Sequence, residues 1–300
     1  MPELPEVEVV RLGLEPVIAG ALIEQVVVKD PRSLKRHLGP TEDFISSLEG
    51  HTLTHAVRRG KFLWFPIAGT NEALVGHLGM SGQMLIGDET SDFGPHARII
   101  VTLKPVRGLR MQVAFVDQRI FGSLAIDHCV DCPDGKPGGL GSPTAEVPKS
   151  VAHIGRDPLD PHCDDRAVIA ALRRKSTGIK RALLDQNLIS GVGNIYADEA
   201  LFASKLHYDT PCSSLSVSKV RELLRTIREV FGRALAEGGT SFDQQYVNVN
   251  GQSGYFSRSL KAYGRAGEPC VVCGAIIVRE RFMNRSSYRC PRCQKVPSTR

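Results

Sequence analysis

Two groups of residues in the chain have types and spacings that could support chemistry, and the first is a set of cysteines. Cys270-x2-Cys273 and Cys290-x2-Cys293 are separated by sixteen residues. Each CxxC pair can present two thiolates to one ion, and two pairs at this separation are typical of tetrahedral zinc on a β-hairpin. Because four thiolates leave no open coordination position, the spacing predicts a structural ion rather than a catalytic one.

The second group is the stretch PELPEVE at residues 2–8, which is crowded with carboxylates and prolines. Pro5 suits the first position of a helix, and Glu6 and Glu8 complement the positive end of a helix dipole. A helix start does not account for Pro2 or Glu3. No basic, apolar export segment follows, so we do not expect a signal peptide.

The composition favours an intracellular protein with an anionic partner. The chain has 300 residues, 42% hydrophobic content and a net charge of +6, and its longest apolar runs are shorter than the ~18–20 residues of a membrane span. Residues 255–300 carry ten Lys or Arg against two Glu, a density that indicates either an anionic partner or a solvated tail. Eight cysteines without an export signal indicate a reducing compartment. Cys129-x2-Cys132 has no second pair, so incidental thiols are favoured there over a second zinc.

The elements that must position these residues fall into two regions. Val7, Val10 and Leu14 predict an N-terminal helix that Pro16 ends. Alternating segments then predict a two-layer β-sandwich, and Gly, Pro and Ser indicate an interdomain linker at 129–150. The next hundred residues have helical periodicity. The predicted strands are 22–28, 52–59, 61–67, 73–79, 97–103 and 110–116.

Residues 179–201, IKRALLDQNLISGVGNIYADEAL, predict two helices joined by a glycine-containing turn, with Asn194 as the N-cap of the second. An ordinary helical hairpin is an equal alternative. The basic run RRKSTGIKR just before it favours a phosphate site that involves Lys175, Asn194 and the free N–H groups of a helix start.

With these motifs in place, the sequence resembles the formamidopyrimidine-DNA glycosylase family over almost its whole length, apart from 129–150. The resemblance rests on PELPEVE, RRGK, HLGMSG, DQRIFG, GVGNIYADEAL, NGQSGYF and the paired cysteine knuckles, in this order. It implies a multidomain α+β fold with an N-terminal helix plus β-sandwich, a helix–two-turn–helix domain and a C-terminal β-hairpin zinc finger. The expected limits are 1–128, a linker at 129–150, 151–260 and 261–300.

The resemblance also implies a function: excision of oxidised purines from duplex DNA, followed by cleavage of the abasic strand. Pro2 would be the nucleophile once Met1 is removed, since an α-amine with a pKa near 8 is partly neutral at pH 7. Glu3 would be the general acid/base, Glu6 a second pocket carboxylate, and Lys61 a phosphate-binding residue that assists elimination. Arg285 would act in the last elimination step, and one structural Zn²⁺ would be held by Cys270, Cys273, Cys290 and Cys293.

The family resemblance assigns DNA contacts residue by residue. Met80, Arg119 and Phe121 would fill the void left by an extruded nucleotide. The loop at 247–256 would cap the flipped base. Many family members have Pro and a second Arg where this chain has Gln118 and Ile120, which affects the geometry of the contact to the opposite base. The expected phosphate contacts are His96, Arg119, Lys175, Asn194 and Arg285.

Three alternatives remain to be weighed. An endonuclease VIII-like glycosylase for oxidised pyrimidines typically begins PEGPE, whereas Leu4 stands here. A non-catalytic damage-binding protein would not need Pro2, Glu3 or Lys61. A zinc hydrolase is disfavoured because the four-cysteine site is closed. We expect a monomer in the bacterial cytoplasm, associated with the nucleoid, with double-stranded DNA as partner and no membrane contact.

Overall fold

The computed structural model describes residues 2–240, 249 and 254–297, which fall into two compact units. The first unit comprises Met1–His153 with Gly238–Tyr255, and the second comprises Ile154–Glu237 with Phe256–Arg300. The multidomain α+β class expected from the sequence is confirmed. The finer domain limits at 128, 150 and 260 stay predictions.

The first unit is a two-layer sandwich of antiparallel sheets with helix α1 (Leu4–Ile18) packed on the same core. Val7, Val10 and Leu14 enter that core, as their spacing predicts. Pro16 lies inside the helix instead of ending it, because the N–H of Ala19 still closes the last turn on the Glu15 carbonyl at 3.0 Å.

The strands of this unit are β1 (Leu22–Val28), β2 (Val57–Arg59), β3 (Phe62–Pro66), β4 (Glu72–His77), β5 (Gly82–Gly87), β6 (Ala97–Lys104), β7 (Met111–Asp117), β8 (Ser123–Asp131) and β9 (Glu146–Pro148), and a short helix α2 (Thr41–Ser46) follows β1. One sheet has the strand order β1-β6-β7-β5 and the other has β2-β3-β4-β8-β9. The sequence pattern located six of these strands but extended the second back to residue 52, and it missed β5, β8 and β9. Glycine at 82, 87 and 122 interrupts the alternation at the ends of the first two missed strands.

The segment 129–150, for which the composition predicts a linker, begins and ends in paired strands of the first unit. Between them, Leu140 exchanges two backbone hydrogen bonds with Arg58, at 2.9 and 3.0 Å. A Cβ on Gly139 would lie 2.4 Å from the Arg58 carbonyl oxygen. The glycine therefore allows two backbones to approach closely, which composition alone cannot distinguish from a flexible linker.

The second unit contains four α-helices and a β-hairpin among its described residues. Asp164 and Ser216 cap the first and last of these helices by accepting backbone N–H groups. The apolar stripe predicted for the longest helix is buried. The elements are α3 (Asp165–Arg173), α4 (Ile179–Leu183), α5 (Asn194–Ala203), α6 (Val217–Ala236), β10 (Val278–Phe282) and β11 (Arg285–Arg289).

A buried ion pair joins two helices and the hairpin of this unit. Lys180 on α4 donates to Asp198 on α5 at 2.7 Å, and both side chains are almost fully buried. The same carboxylate accepts from the Ser287 hydroxyl at 2.7 Å and from the Tyr288 N–H at 2.9 Å. Lys180 also lies 4.8 Å from the centre of the Phe282 ring. These contacts fix the hairpin against the helices.

We expect Lys180→Met to lower the free energy of unfolding by about 3–5 kcal/mol, because it leaves the Asp198 carboxylate buried without its cation. Lys219→Met is the matched control, since Lys219 pairs with Glu222 at the surface and such pairs contribute only about 0–1 kcal/mol. Urea unfolding followed by circular dichroism measures both. Equal losses in the two variants would contradict the role of the buried pair.

Candidate active site and nucleic-acid interface

The start of α1 gathers the predicted catalytic residues Pro2, Glu3 and Glu6, and all three are buried. The N–H of Glu3 donates to Glu6 Oε2 at 2.8 Å. The other oxygen of Glu6 accepts both the N–H of Thr240, at 2.8 Å, and its hydroxyl, at 2.6 Å. Glu6 is thus fixed at both oxygens beside the N-terminal end of a helix, where a carboxylate is favoured.

Gly239 makes room for this arrangement. Its φ is +85°, and a Cβ there would lie 3.2 Å from Glu6 Oε1. Thr240, immediately after it, forms an isolated β-bridge with Tyr255. The predicted base-capping loop at 247–256 lies outside the described residues, apart from 249 and 254–256.

Lys61 lies in the two-residue turn between β2 and β3 and is half-buried. Gly60, the first residue of that turn, has φ +57°, which suits a tight hairpin. Arg58 Nη1 donates to the Gly60 carbonyl at 3.2 Å, while Arg58 Nε donates to Glu8 on α1 at 2.7 Å. The turn that carries Lys61 is therefore linked to the helix that begins at the carboxylates Glu3 and Glu6.

His77 holds the loop that carries Met80. The N–H of Gly79 donates to His77 Nδ1 at 3.1 Å, so this nitrogen acts as an acceptor and the ring is neutral. Burial, followed by the nearby cations Arg36 and Lys61, lowers the pKa of His77 to about 4. Protonation of His77 Nδ1 would therefore remove the hydrogen bond from Gly79 that holds the short loop.

Met80, Arg119 and Phe121 lie on two loops that touch backbone to backbone. A Cβ on Gly79 would lie 2.4 Å from the Phe121 carbonyl carbon. The side chains of Met80 and Phe121 are 43% and 46% exposed although both are large and apolar. The Arg119 guanidinium lies 4.8 Å from the centre of the Phe121 ring. Exposed apolar side chains on rigid loops are suited to insertion between bases.

Buried Asp117 holds the second of these loops in place. Its carboxylate accepts from the Ser81 hydroxyl at 2.6 Å, the Gly122 N–H at 2.7 Å and the Arg119 N–H at 3.2 Å. The backbone N–H of Asp117 donates to the His96 carbonyl, which brings His96 to the same edge of the sandwich. The structure thus groups His96, Met80, Arg119 and Phe121.

In the second unit, Asn194 is the first residue of α5, and Gly193 takes the N-cap position that the sequence predicts for Asn194. The Asn194 amide instead donates to the Ser286 carbonyl at 3.0 Å, and its Oδ1 is buried without a hydrogen-bond partner. This contact places Asn194 beside Arg285, which is exposed at the start of β11. Lys175 lies between α3 and α4 and pairs with Asp185 at 3.0 Å.

The four cysteines of the paired knuckles converge in the same unit, with their Sγ atoms all within 4.8 Å of one another. The Sγ atom of Cys273 lies 3.4 Å from that of Cys290 and 3.5 Å from that of Cys293, and the Sγ atoms of Cys270 and Cys293 are 4.0 Å apart. These distances are close to the roughly 3.8 Å edge of a tetrahedron with Zn–S bonds of about 2.3 Å. The N–H groups of Val272 and Cys293 point at the sulfurs of Cys270 and Cys290, each at 3.4 Å. The donor set fits one zinc ion with no open position.

Three family models match the chain: the formamidopyrimidine-DNA glycosylase N-terminal domain at 1–124, the formamidopyrimidine-DNA glycosylase H2TH domain at 154–245, and the zinc finger found in FPG and IleRS at 267–296. A formamidopyrimidine-DNA glycosylase from Leifsonia xyli subsp. xyli is 56% identical over 99% of this chain and 100% of the relative. One from Thermobifida fusca is 53% identical over 99% of this chain and 98% of the relative. The chain belongs to the formamidopyrimidine-DNA glycosylase family.

Solved structures agree with this membership. The Lactococcus lactis Fpg bound to DNA containing an abasic site aligns with a TM-score of 0.80 and 29% identity, covering 98% of this chain and all of that one. A mutant of the same protein bound to Fapy-dG-containing DNA aligns with a TM-score of 0.80 and 30% identity, with the same coverage.

In the present chain, the four clustered cysteines form the site of one structural zinc ion. No helix among the described residues is long and apolar enough to cross a membrane.

Sequence reasoning missed the residues that support the site. Arg58, Asp117 and Thr240 touch the predicted functional residues or the turns that carry them, and Glu8 binds Arg58. None of the four has a distinctive spacing. A charged residue inside a predicted β-strand, as at Arg58, is one sequence signal that could have indicated a supporting role. Thr240 pairs with a residue 234 positions away, which no local pattern indicates.

The depressed pKa of His77 predicts a pH-dependent stability. Because its pKa is below the unfolded value of 6.5, the neutral ring contributes stability above pH 6.5 that is lost as the pH falls toward 4. The Tm of the wild type minus that of His77→Gln should therefore decrease between pH 7 and pH 4.5. A difference that stays constant over this range would show that His77 does not titrate in the folded protein as described.

The zinc site predicts that the structure of the second unit, and with it DNA binding, depends on the bound metal. Cys290→Ser should release zinc and weaken binding to damaged and undamaged duplexes alike, because the hairpin that carries Arg285 loses its closure. Cys212→Ser is the matched control, since Cys212 is a buried thiol outside the cluster. Zinc content by atomic absorption and duplex binding by fluorescence anisotropy are the measurements. Normal binding by a zinc-free Cys290→Ser protein would contradict the structural role.

Proposed function

We propose that this protein is a bifunctional DNA repair glycosylase that removes oxidised purines, namely 8-oxoguanine and formamidopyrimidines, from duplex DNA and then cleaves the abasic strand by β,δ-elimination. The observation that carries the proposal is the buried group at the start of α1, where Pro2 and Glu3 lie beside a Glu6 carboxylate fixed at both oxygens. Family membership supports it, as do the abasic-site and Fapy-dG DNA bound by the Lactococcus lactis relatives.

The chemistry begins at the α-amine of Pro2, which becomes available when Met1 is removed. Its lone pair attacks the sugar C1′, the C1′–N bond to the damaged base breaks, and the base leaves with a proton. The amine then loses its own proton, and the sugar ring opens to an iminium as the C1′–O4′ bond breaks and O4′ is protonated. Because the proline nitrogen is secondary, the resulting iminium cannot lose an N–H proton and remains cationic. It therefore acidifies C2′, and loss of a C2′ proton expels the 3′ phosphate. Loss of a second proton, from C4′ of the conjugated iminium, then expels the 5′ phosphate.

Four other residues support this sequence of steps. Glu3 is the general acid/base that supplies the proton to the sugar or base. Glu6, held by Thr240, orients water and the amine. Lys61 binds a phosphate near the lesion and stabilises the charge that develops during elimination. Arg285, exposed at the tip of the zinc hairpin, acts on the last phosphate to leave.

Two groups of side chains bind the DNA: one fills the space left by the extruded nucleotide, and the other contacts phosphates. Met80 and Phe121 fill the space left by the extruded nucleotide, and Arg119 hydrogen-bonds the unpaired base opposite it. Lys175 pairs with Asp185, so a phosphate that binds Lys175 would have to replace that carboxylate. The proposed phosphate contacts are His96, Arg119, Lys175, Asn194 and Arg285.

The oxidised-purine class is preferred over oxidised pyrimidines because Leu4 stands where endonuclease VIII-like proteins typically have glycine. The relative bound to Fapy-dG DNA supports the same choice. We propose action as a monomer on chromosomal DNA in the bacterial nucleoid, since one lesion requires one site.

Borohydride reduction with a duplex carrying one 8-oxoguanine opposite cytosine tests the proposal directly. Reduction converts the iminium into a stable amine, so mass analysis should place the DNA on Pro2 with Met1 absent. Pro2→Gly should keep duplex binding and lose most strand cleavage, while the matched Pro5→Gly should still be trapped.

Each alternative has its own outcome in this experiment. Tight lesion binding without any crosslink would replace the enzyme with a damage-binding protein. Preferential trapping on thymine glycol over 8-oxoguanine would move the protein to the endonuclease VIII-like class.

A further inference from the structure

The proposed catalytic residues of the first unit lie on two different elements. Pro2, Glu3 and Glu6 lie at the start of α1, whereas Lys61 lies in the turn between β2 and β3. The elimination requires the Pro2 amine and the Lys61 ammonium to be held at a fixed distance and orientation. Misplacement of a reacting group by about 1 Å can lower the rate about a hundredfold. Some part of the fold must therefore connect the helix to the turn.

The side chain of Arg58 makes that connection. It is fully buried, its Nε donates to Glu8 Oε2 on α1 at 2.7 Å, and its Nη1 donates to the Gly60 carbonyl at 3.2 Å. The first contact reaches the helix and the second reaches the residue before Lys61. A planar guanidinium can make both contacts at once because its donors are fixed at an angle to one another.

Other contacts hold the strand in its sheet, and the pairing of Arg59 with Phe62 closes the turn without reaching the helix. Backbone bonds from Arg58 to Leu140 and the pairing of Val57 with Trp64 hold β2 in the sheet. Arg11, the other cation on Glu8, donates to the Ala56 carbonyl at 3.3 Å, at the far end of the strand. The single side chain of Arg58 thus joins the Gly60 carbonyl to the helix.

We propose that Arg58 is a positioning residue that acts through Lys61: by holding the Gly60 carbonyl while bound to Glu8, it sets the place of the Lys61 ammonium during strand cleavage. This inference rests on the proposed function, because it assumes that Lys61 takes part in elimination.

Arg58→Lys tests the inference because it keeps a buried positive charge for Glu8 but cannot span to Gly60 in the same geometry. We expect single-turnover cleavage of a preformed abasic duplex to slow by about tenfold or more, with the Kd for a tetrahydrofuran duplex changed by less than about threefold. Arg11→Lys is the matched control. It alters the same Glu8 cluster without touching the turn, so its cleavage rate should stay within about twofold of wild type.

A double-mutant cycle separates positioning from a general loss of structure. In a Lys61→Met background, Arg58→Lys should cost less than about twofold, because the residue it positions is already gone. Full additivity would overturn the inference, and so would a slow Arg58→Lys beside a fully active Lys61→Met. If Arg58→Lys does not fold by circular dichroism, Glu8→Gln takes its place in the same cycle with the same criterion.

Trapping of the wild type on Pro2 is measured alongside the cycle. Failure of trapping contradicts the proposed function itself, whereas successful trapping with an additive cycle contradicts only the role of Arg58.

Discussion

The buried carboxylate of Glu8 is the constraint on which the first unit depends. It accepts from Arg58 at 2.7 Å and from Arg11 at 2.8 Å, with all three side chains almost fully removed from solvent. Charges so buried must remain paired, since removing one partner leaves another uncompensated at a cost of about 3–5 kcal/mol. The cluster therefore favours this docking of α1 against β2 over one that would leave any of the three charges unpaired.

The second unit uses the same physical device at a different place. Lys180 and Asp198 form a buried pair whose carboxylate also accepts two groups of β11. Glu199, the next residue of α5, accepts the backbone N–H groups of residues 261, 262 and 263. Two adjacent carboxylates on one helix thus hold the segment before the zinc site and the hairpin between its two cysteine pairs. Zinc closes the knuckles, and the helix fixes where they lie.

The sequence predicted some parts of this arrangement because their chemistry is local. The four zinc ligands follow from spacing alone, and the long helix α6 follows from its apolar stripe. The site residues of the N-terminal stretch followed only from resemblance, since Pro2 and Glu3 have no periodicity to exploit. Gly193 displaced Asn194 from the N-cap because the Asn194 side chain is used on Ser286, 92 positions away. Supporting contacts of this range depend on the complete fold.

The backbone conformation at residue 120 is held by contacts that do not involve the Ile120 side chain. Ile120 has φ +54°, a conformation that is strained for a β-branched residue by about 1–3 kcal/mol. The loop keeps it because Asp117 holds the flanking N–H groups of Arg119 and Gly122, and Lys35 Nζ donates to the Ile120 carbonyl at 2.7 Å. None of these contacts involves the Ile120 side chain. The loop geometry is therefore set by its neighbours and not by the Ile120 side chain, and it leaves the Arg119 guanidinium 4.8 Å from the centre of the Phe121 ring.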